Sequence, residues 1–473
     1  MTTSSVPFEC QGKHVTVAGL GVSGVPAAKV LHGLGAKVTV VNDGDDARAR
    51  EQAAGLEALG ITVRLGDGDT LPEGTELIVT APGWRPDKPL FAAADEAGVP
   101  VWGDVELAWR LRKPGAAPWL AVTGTNGKTT TVQMLAAILK AAGLRTAAVG
   151  NIGVSLLDAV LGEEEYDVLA VELSSYQLHW APSLRAHSAA VLNLAPDHLD
   201  WHGSMEAYAR DKGRVYEGNR VACVYNVADK ATEDLVREAD VEEGCRAVGF
   251  TLGTPGPSQL GVVEGLLVDR AFVENRQKNA QELAEVSDVR PAAPHNIANA
   301  LAAAALARAY GVPAGAVREG LRAFTPDAHR IAHVADLDDV AYVDDSKATN
   351  THAAEASLAA YESIVWIAGG LAKGATFDEL VAGSAKRLRG AVLIGRDRAL
   401  IREALARHAP EVPVVDLDRT DTGAMLQAVQ EAKRLARPGD TVLLAPACAS
   451  MDMFANYDKR GDAFAQAVRE LGA

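Results

Sequence analysis

Positive charge is what this sequence has too little of: 46 lysines and arginines stand against 62 aspartates and glutamates, a formal charge of -16 over 473 residues. A protein that grips nucleic acid or an anionic membrane over a broad surface needs a basic face, so those partners are not expected. Any phosphate bound here has to be held locally. Cysteine is scarce too. Cys10, Cys223, Cys245 and Cys448 are scattered with no C-x-x-C pair, which argues against a disulfide framework or a zinc site and fits a reducing compartment. No apolar run approaches the roughly 20 residues of a membrane span, and no basic-then-apolar leader opens the chain, so a soluble, cytoplasmic protein is expected. Low-complexity segments and sequence repeats are missing as well.

What is there is a rhythm. Short β-branched runs alternate with Ala- and Leu-rich helical stretches, the signature of an α/β protein with parallel sheets and crossover helices. The length sets a prior of two to four domains. Two breaks divide the run, "RKPGAAP" around 114–118 and "FTPDAHR" around 326–330. Three domains are therefore expected, at 1–114, 115–327 and 328–473. Strands are expected at 15–18, 38–41, 63–65 and 77–79 in the first, at 119–122, 168–171 and 189–192 in the second, and at 341–343, 364–368, 392–394, 414–416 and 442–444 in the third. Long helices are expected at 129–142 and 296–310, and the irregular stretch 251–272 reads as short antiparallel strands.

"VTGTNGKTTTV" (122–132) follows a strand and opens a helix, as a phosphate loop must, although Val122 stands where G-x-x-x-x-G-K-[ST] begins with glycine. Gly124 and Gly127 allow close backbone approach, Lys128 suits the β- and γ-phosphates, and Thr129 or Thr130 can offer a hydroxyl to magnesium. An ordinary strand-to-helix turn is the bland alternative. "GLGVSG" (Gly19, Gly21, Gly24) after the first strand suggests dinucleotide binding, with Asp43 as ribose acceptor; it also suits another phosphorylated ligand or simple helix packing. "VELSSYQL" puts Glu172 at a strand end, either as a ligand group or as an exposed carboxylate. "NLAPDHLDWH" gathers Asp197, His198, Asp200 and His202, a better match for a hard ion than for zinc. Asn296 and Asn299 in "HNIANALAAAALA" read as helix caps. "VDDSKATN", "GGLAKG" and "APACASMDMFANYDKRG" place polar groups after strands of the third block, and Cys448 reads as a packed thiol because no histidine is near it in sequence.

Taken in order from Gly19 to Gly461, "GTNGKTT", "ELSSYQL", "NLAPDHLDWH", "HNIAN", "HR", "DDSKATN" and "ACASMDMF" resemble the Mur ligase family of bacterial peptidoglycan synthesis. In that family Val122 is expected, since the loop with Thr123, Gly124, Asn126, Gly127 and Lys128 is its own form of the phosphate loop. The resemblance implies three domains: an N-terminal Rossmann-like domain for the uridine nucleotide, a central P-loop NTPase-like domain for ATP, and a C-terminal Rossmann-like domain for the amino acid. It implies an ATP-dependent, ADP-forming amide ligase acting through an acyl phosphate, as a monomer, with two magnesium ions. Within the family the likeness is to the member whose substrates are UDP-N-acetylmuramoyl-L-alanine and D-glutamate. The D-N-P-R motif of the diaminopimelate-adding sibling does not occur.

By the same resemblance, Lys128, His198, Lys212 and Lys347 are the catalytic residues. Gly124, Asn126, Gly127, Lys128, Thr129, Thr130, Asn296, Asn299, Arg330 and Asp345 bind ATP. Thr129 and Glu172 hold one magnesium, and His198 with a carbamylated Lys212 holds the other; from the residues alone, Lys212 in "YARDKGRVY" reads as a surface lysine. Thr349, Lys373, Ser450 and Tyr457 match the D-glutamate site. Val22, Ser23, Gly24, Asn151, Ser174, Gln177 and His198 match the contacts to the uridine substrate. Two positions depart from the family pattern: Ala293 stands where glycine is common, and "NDGDD" lacks an arginine some relatives carry. Another Mur-type ligase using a different amino acid, a nicotinamide-dependent oxidoreductase built on "GLGVSG" and a non-catalytic nucleotide-binding regulator remain as alternatives.

Overall fold

The computed structural model describes residues 9–419, 421 and 423–472. Among these residues the strands form three sheets. The first has the spatial order Thr62–Leu65, Lys37–Asn42, His14–Ala18, Leu77–Thr80, Val101–Gly103, and every pairing is parallel. Strand order reverses beside His14–Ala18, so the Gly19–Gly24 turn leaves the sheet at a switch point, where ligands of open parallel sheets bind.

In the nine-stranded second sheet, Trp119–Thr123 lies between Ser188–Val191 and Leu169–Glu172, parallel to both. All five residues of Trp119–Thr123 are buried, as β-branched and apolar residues covered on both faces should be. The irregular stretch contains the expected antiparallel pair, Gln259–Val263 with Leu266–Asp269, and Gln281–Glu285 extends it. The third sheet runs Ala332–Leu337, Val340–Asp344, Thr441–Leu444, Ile364–Gly369, Leu388–Ile394, Val414–Asp416, with only the first pairing antiparallel among the described strands.

The chain divides into two compact units, one of Met1–Val289 with Ile297–Phe324 and one of Arg290–Asn296 with Thr325–Ala473. The first unit carries the first two sheets. One apolar cluster runs through both, from Val15 and Val40 to Trp119 and Val171. Trp109 meets Trp119 edge-on at 5.0 Å between ring centroids, and the Arg112 guanidinium covers Trp109. In the second unit, two clusters line the faces of the third sheet, one around Trp366 and Leu393, the other around Ile367 and Phe464. Among the described residues no helix is long and apolar enough to cross a membrane.

Candidate active site

The glycine-containing loop after Trp119–Thr123 is held rigidly. Thr125 N donates to Asn193 O at 3.0 Å, Asn126 N donates to Asn193 Oδ1 at 2.8 Å, and Asn193 Nδ2 returns a bond to Asn126 O at 3.1 Å. Gly127 caps the helix Lys128–Ala141 at φ 85°, a left-handed conformation that favours glycine. A Cβ there would also overlap the side-chain oxygen of Asn299. The helix therefore begins at Lys128, one residue earlier than expected, with its N-terminal N–H groups at the loop. Thr129 is half-buried and Thr130 buried behind it.

Two lysines converge on one carbonyl. Lys128 Nζ donates to Gly124 O and Thr125 O, each at 2.9 Å, and Lys212 Nζ donates to the same Gly124 O at 2.9 Å. Lys212 is 2% exposed, which corrects the surface reading of its helix. Burial, reinforced by the Lys128 charge, drives its ammonium well below the usual lysine range. Glu172 is likewise buried at its strand end, not exposed; Oε1 accepts from Asn151 Nδ2 at 2.9 Å, and buried Oε2 has no hydrogen-bond partner. A lone buried carboxylate oxygen at this strand end suits a hard cation that takes its remaining ligands from elsewhere.

The four-residue ion cluster expected in "NLAPDHLDWH" does not form. His202 is the last residue of the short helix Leu199–His202, and both its nitrogens are engaged, Nδ1 with Asp211 Oδ2 and Nε2 with Ser175 Oγ, each at 2.9 Å. Among the described residues no group of three or more His, Cys, Asp and Glu is arranged to hold a metal. His198 caps that helix at φ 54°, a strained backbone for a non-glycine residue, with its Nδ1 3.6 Å from Asp197 Oδ1. Its ring lies 4.9 Å from that of Tyr176, and burial pushes its imidazolium below the usual histidine range.

At the first sheet, Gly24 begins the helix Gly24–Gly33, and a Cβ on it would overlap the carbonyl oxygen of Gly19. Close helix packing thus accounts for that glycine. Asp43, the ribose acceptor a nicotinamide site would need, is paired with Lys88 at 2.8 Å. Val22 is exposed, whereas Ser23 Oγ donates to Asp104 Oδ2 at 3.2 Å. Gln177 Nε2 donates to the same oxygen at 3.2 Å, and Ser174 and Gln177 form a capping box on the helix Ser175–His179. Asp104 thus joins Ser23 to Gln177; sequence reasoning missed it because it reads as an ordinary first-turn acid.

Asn296 and Asn299 are not caps: the helix starts at Pro294, which places both inside it, and both are buried. Asn296 Nδ2 donates to Pro291 O at 3.2 Å.

In the second unit, backbone bonds lace together the loops that follow three strands. Ala447 N donates to Ala348 O at 2.9 Å, and Leu371 and Ala449 exchange two bonds of 2.9 Å. These loops carry Lys347, Thr349, Lys373 and Ser450, with Tyr457 opening the next helix; Lys347 Nζ sits 3.9 Å from the Tyr457 ring centroid. Lys373 is exposed with φ 50°, and Ser450 is buried. Asp345 is buried beneath them, accepting from Ile331 N at 3.2 Å and from Ser357 Oγ, beside half-buried Arg330. Cys448 is the packed thiol expected, pushed up to about 12 by burial.

Residues 122–307 match the Mur ligase middle domain and residues 329–448 match the Mur ligase, glutamate ligase domain. A Streptomyces coelicolor protein named UDP-N-acetylmuramoylalanine--D-glutamate ligase is 90% identical, over 99% of this chain and 100% of its own. The chain belongs to the Mur ligase family. A Streptomyces avermitilis protein of the same name is 89% identical over 98% of this chain and 99% of that one. Among solved structures, a MurF ligase from Thermotoga maritima in complex with ADP shares the fold, with a TM-score of 0.56, 15% identity and 98% coverage of both chains. The match places this Mur ligase in a mixed α/β fold with parallel sheets and leaves the nicotinamide reading of "GLGVSG" without support.

Proposed function

We propose that this Mur ligase joins D-glutamate to UDP-N-acetylmuramoyl-L-alanine at the expense of ATP, through an acyl phosphate on the alanyl carboxylate. The observation that carries the proposal is the 90% identity, over the full chain, to a relative named for that amino acid and that nucleotide. The chemistry of the loop agrees with it. A carboxylate is a poor electrophile at neutral pH, and bringing it to a nucleotide phosphate crowds anions that cations must compensate.

Lys128, at the helix start, is the group that holds the transferring phosphate, with the loop N–H groups of Gly124 to Thr129 around it. Thr130, Asn296, Asn299, Arg330 and Asp345 complete the ATP contacts in this reading. Thr129 and Glu172 hold a magnesium ion, for which the unpaired Glu172 Oε2 is suited, and His198 with Lys212 holds a second. When bound, the metal supplies further compensation of phosphate charge.

For Lys212 to serve as a ligand its ammonium must first lose one proton, and the neutral amine then adds carbon dioxide, forming an N–C bond and releasing a second proton, so that a cation is replaced by a carbamate anion. A lysine held well below its usual range furnishes the neutral amine this addition needs. Lys347 acts beside the reacting phosphate. Thr349, Lys373, Ser450 and Tyr457 receive D-glutamate, while Val22, Ser23, Gly24, Asn151, Ser174, Gln177 and His198 receive the uridine substrate.

We further infer three domains with limits at 1–114, 115–327 and 328–473, each holding one sheet, in a monomer that works in the cytoplasm. The sheet ranges and the two family matches support those limits. The test is ADP release with each amino acid in turn. Release that requires both the alanyl uridine nucleotide and D-glutamate supports the proposal; release with another amino acid and not with D-glutamate refutes it.

A further inference from the structure

The helices Ser175–His179, Leu199–His202 and Met205–Gly213 are 5, 4 and 9 residues long, too short to persist alone. Each nevertheless presents a residue of the proposed site: Ser174 and Gln177 at the first, His198 capping the second, Lys212 in the last turn of the third. Asp211 connects all three. Its Oδ2 lies 2.9 Å from His179 Nδ1 and 2.9 Å from His202 Nδ1, and its Oδ1 lies 3.2 Å from Arg214 Nε. Arg214 Nη1 in turn donates to His179 O at 3.2 Å.

An ionised carboxylate can only accept, so both imidazoles carry a proton on Nδ1. His202 Nε2 lies 2.9 Å from the Ser175 hydroxyl oxygen on the other side of the ring. Ser175, His202 and Asp211 have the connectivity of a hydrolase triad, but Ser175 is 2% exposed and cannot reach a substrate. The relay orients helices. Around it Tyr176 stacks on His202 at 5.6 Å, and His179 meets Trp201 edge-on at 5.1 Å, so the ring planes are fixed as well.

We propose that Asp211 is a positioning residue of the ligase reaction: by tying the three helices together it sets Lys212 against the phosphate loop and His198, Ser174 and Gln177 toward the uridine substrate. The proposal rests on the functional reading above. Asp211 immediately precedes Lys212, whose Nζ is anchored 2.9 Å from Gly124 O, so a shift of this helix moves the amine directly. A displacement of about 1 Å in such a site costs on the order of a hundredfold in rate.

The test is Asp211→Asn in the full chain, which keeps the shape and removes the charge. The expected result is a cooperative thermal transition, kcat lowered by roughly ten- to a hundredfold and KM for ATP within about threefold of the parent. Without substrates, acylation of Lys212 by an amine-reactive reagent, read by peptide mass, rises about tenfold while that of Lys128 is unchanged. Unchanged turnover, unchanged Lys212 labelling, or labelling that rises equally at both lysines would overturn the proposal. If the asparagine variant does not fold, His202→Phe keeps the ring and deletes the Nδ1 donor; smaller shifts in the same directions support the proposal, and parental turnover and labelling overturn it. The labelling needs no ligase reaction, so a parent chain that releases no ADP with D-glutamate defeats the functional reading while Lys212 protection still decides the role of Asp211.

Discussion

Lys212 Nζ and Lys128 Nζ donate to the same atom, the carbonyl oxygen of Gly124, each at 2.9 Å. Burial of Lys212, with the Lys128 charge beside it as the smaller cause, pushes its ammonium toward the neutral form. If Lys212 serves as a carbamate, Lys212→Ala abolishes turnover and short carboxylic acids restore part of it by occupying the vacated anionic position. Steady-state ADP release with and without added acetate measures this. Full activity in a chain whose intact mass shows unmodified lysine would exclude the carbamate.

Lys128→Ala removes the charge that, in the proposed function, faces the transferring phosphate. Turnover is expected to fall by about a hundred- to a thousandfold, the range for loss of a preorganised electrostatic donor. The same assay with saturating substrates checks it, and turnover near that of the parent would contradict the assignment.

Gly127→Ala tests the loop geometry rather than its charge. The added methyl faces both the left-handed φ of 85° and the Asn299 side-chain oxygen. A loss of about 1–3 kcal/mol in stability, seen in denaturant unfolding, is expected together with weakened ATP binding. ATP affinity equal to that of the parent would show that the loop adapts.

Asp345 carries a pH signature. Burial raises its carboxyl to about 6, against partial compensation by Ser357, Ile331 N–H and Arg330, while Asp344 nearby adds to the rise. Because the folded value exceeds the unfolded one, its contribution to stability is fully present below about pH 4 and is lost as the pH rises to about 6, up to about 3 kcal/mol. Asp345→Asn should flatten that slope in thermal unfolding followed from pH 4 to 7. A slope identical to the parent's would show that Asp345 titrates as an ordinary carboxylate.

Sheets and loops were legible because their signals are local. The β-branched run around Val15 to Val17 and the apolar one around Leu120 to Val122 carry their burial in their own composition, and Gly127 carries its conformation in its missing side chain. Lys212 was illegible. It sits between polar neighbours, Asp211 in its helix and Arg214 at the helix end, and what buries it includes Gly124, 88 residues earlier. Asp211 was missed for the same reason, since His179 lies 32 residues away and only the fold brings it to the carboxylate. Asn296 and Asn299 show a different limit: helix ends read from sequence slip by one or two residues, and a shift from 296 to 294 turns apparent caps into interior groups.

In the proposed reaction ATP activates the alanyl carboxylate before the amine arrives. With the two carboxylate oxygens of UDP-N-acetylmuramoyl-L-alanine labelled with oxygen-18 and D-glutamate and ATP supplied, mass analysis of the released phosphate tests it directly. Passage through an acyl phosphate predicts one labelled oxygen in each phosphate formed; phosphate free of label, released in step with ligation, would contradict it.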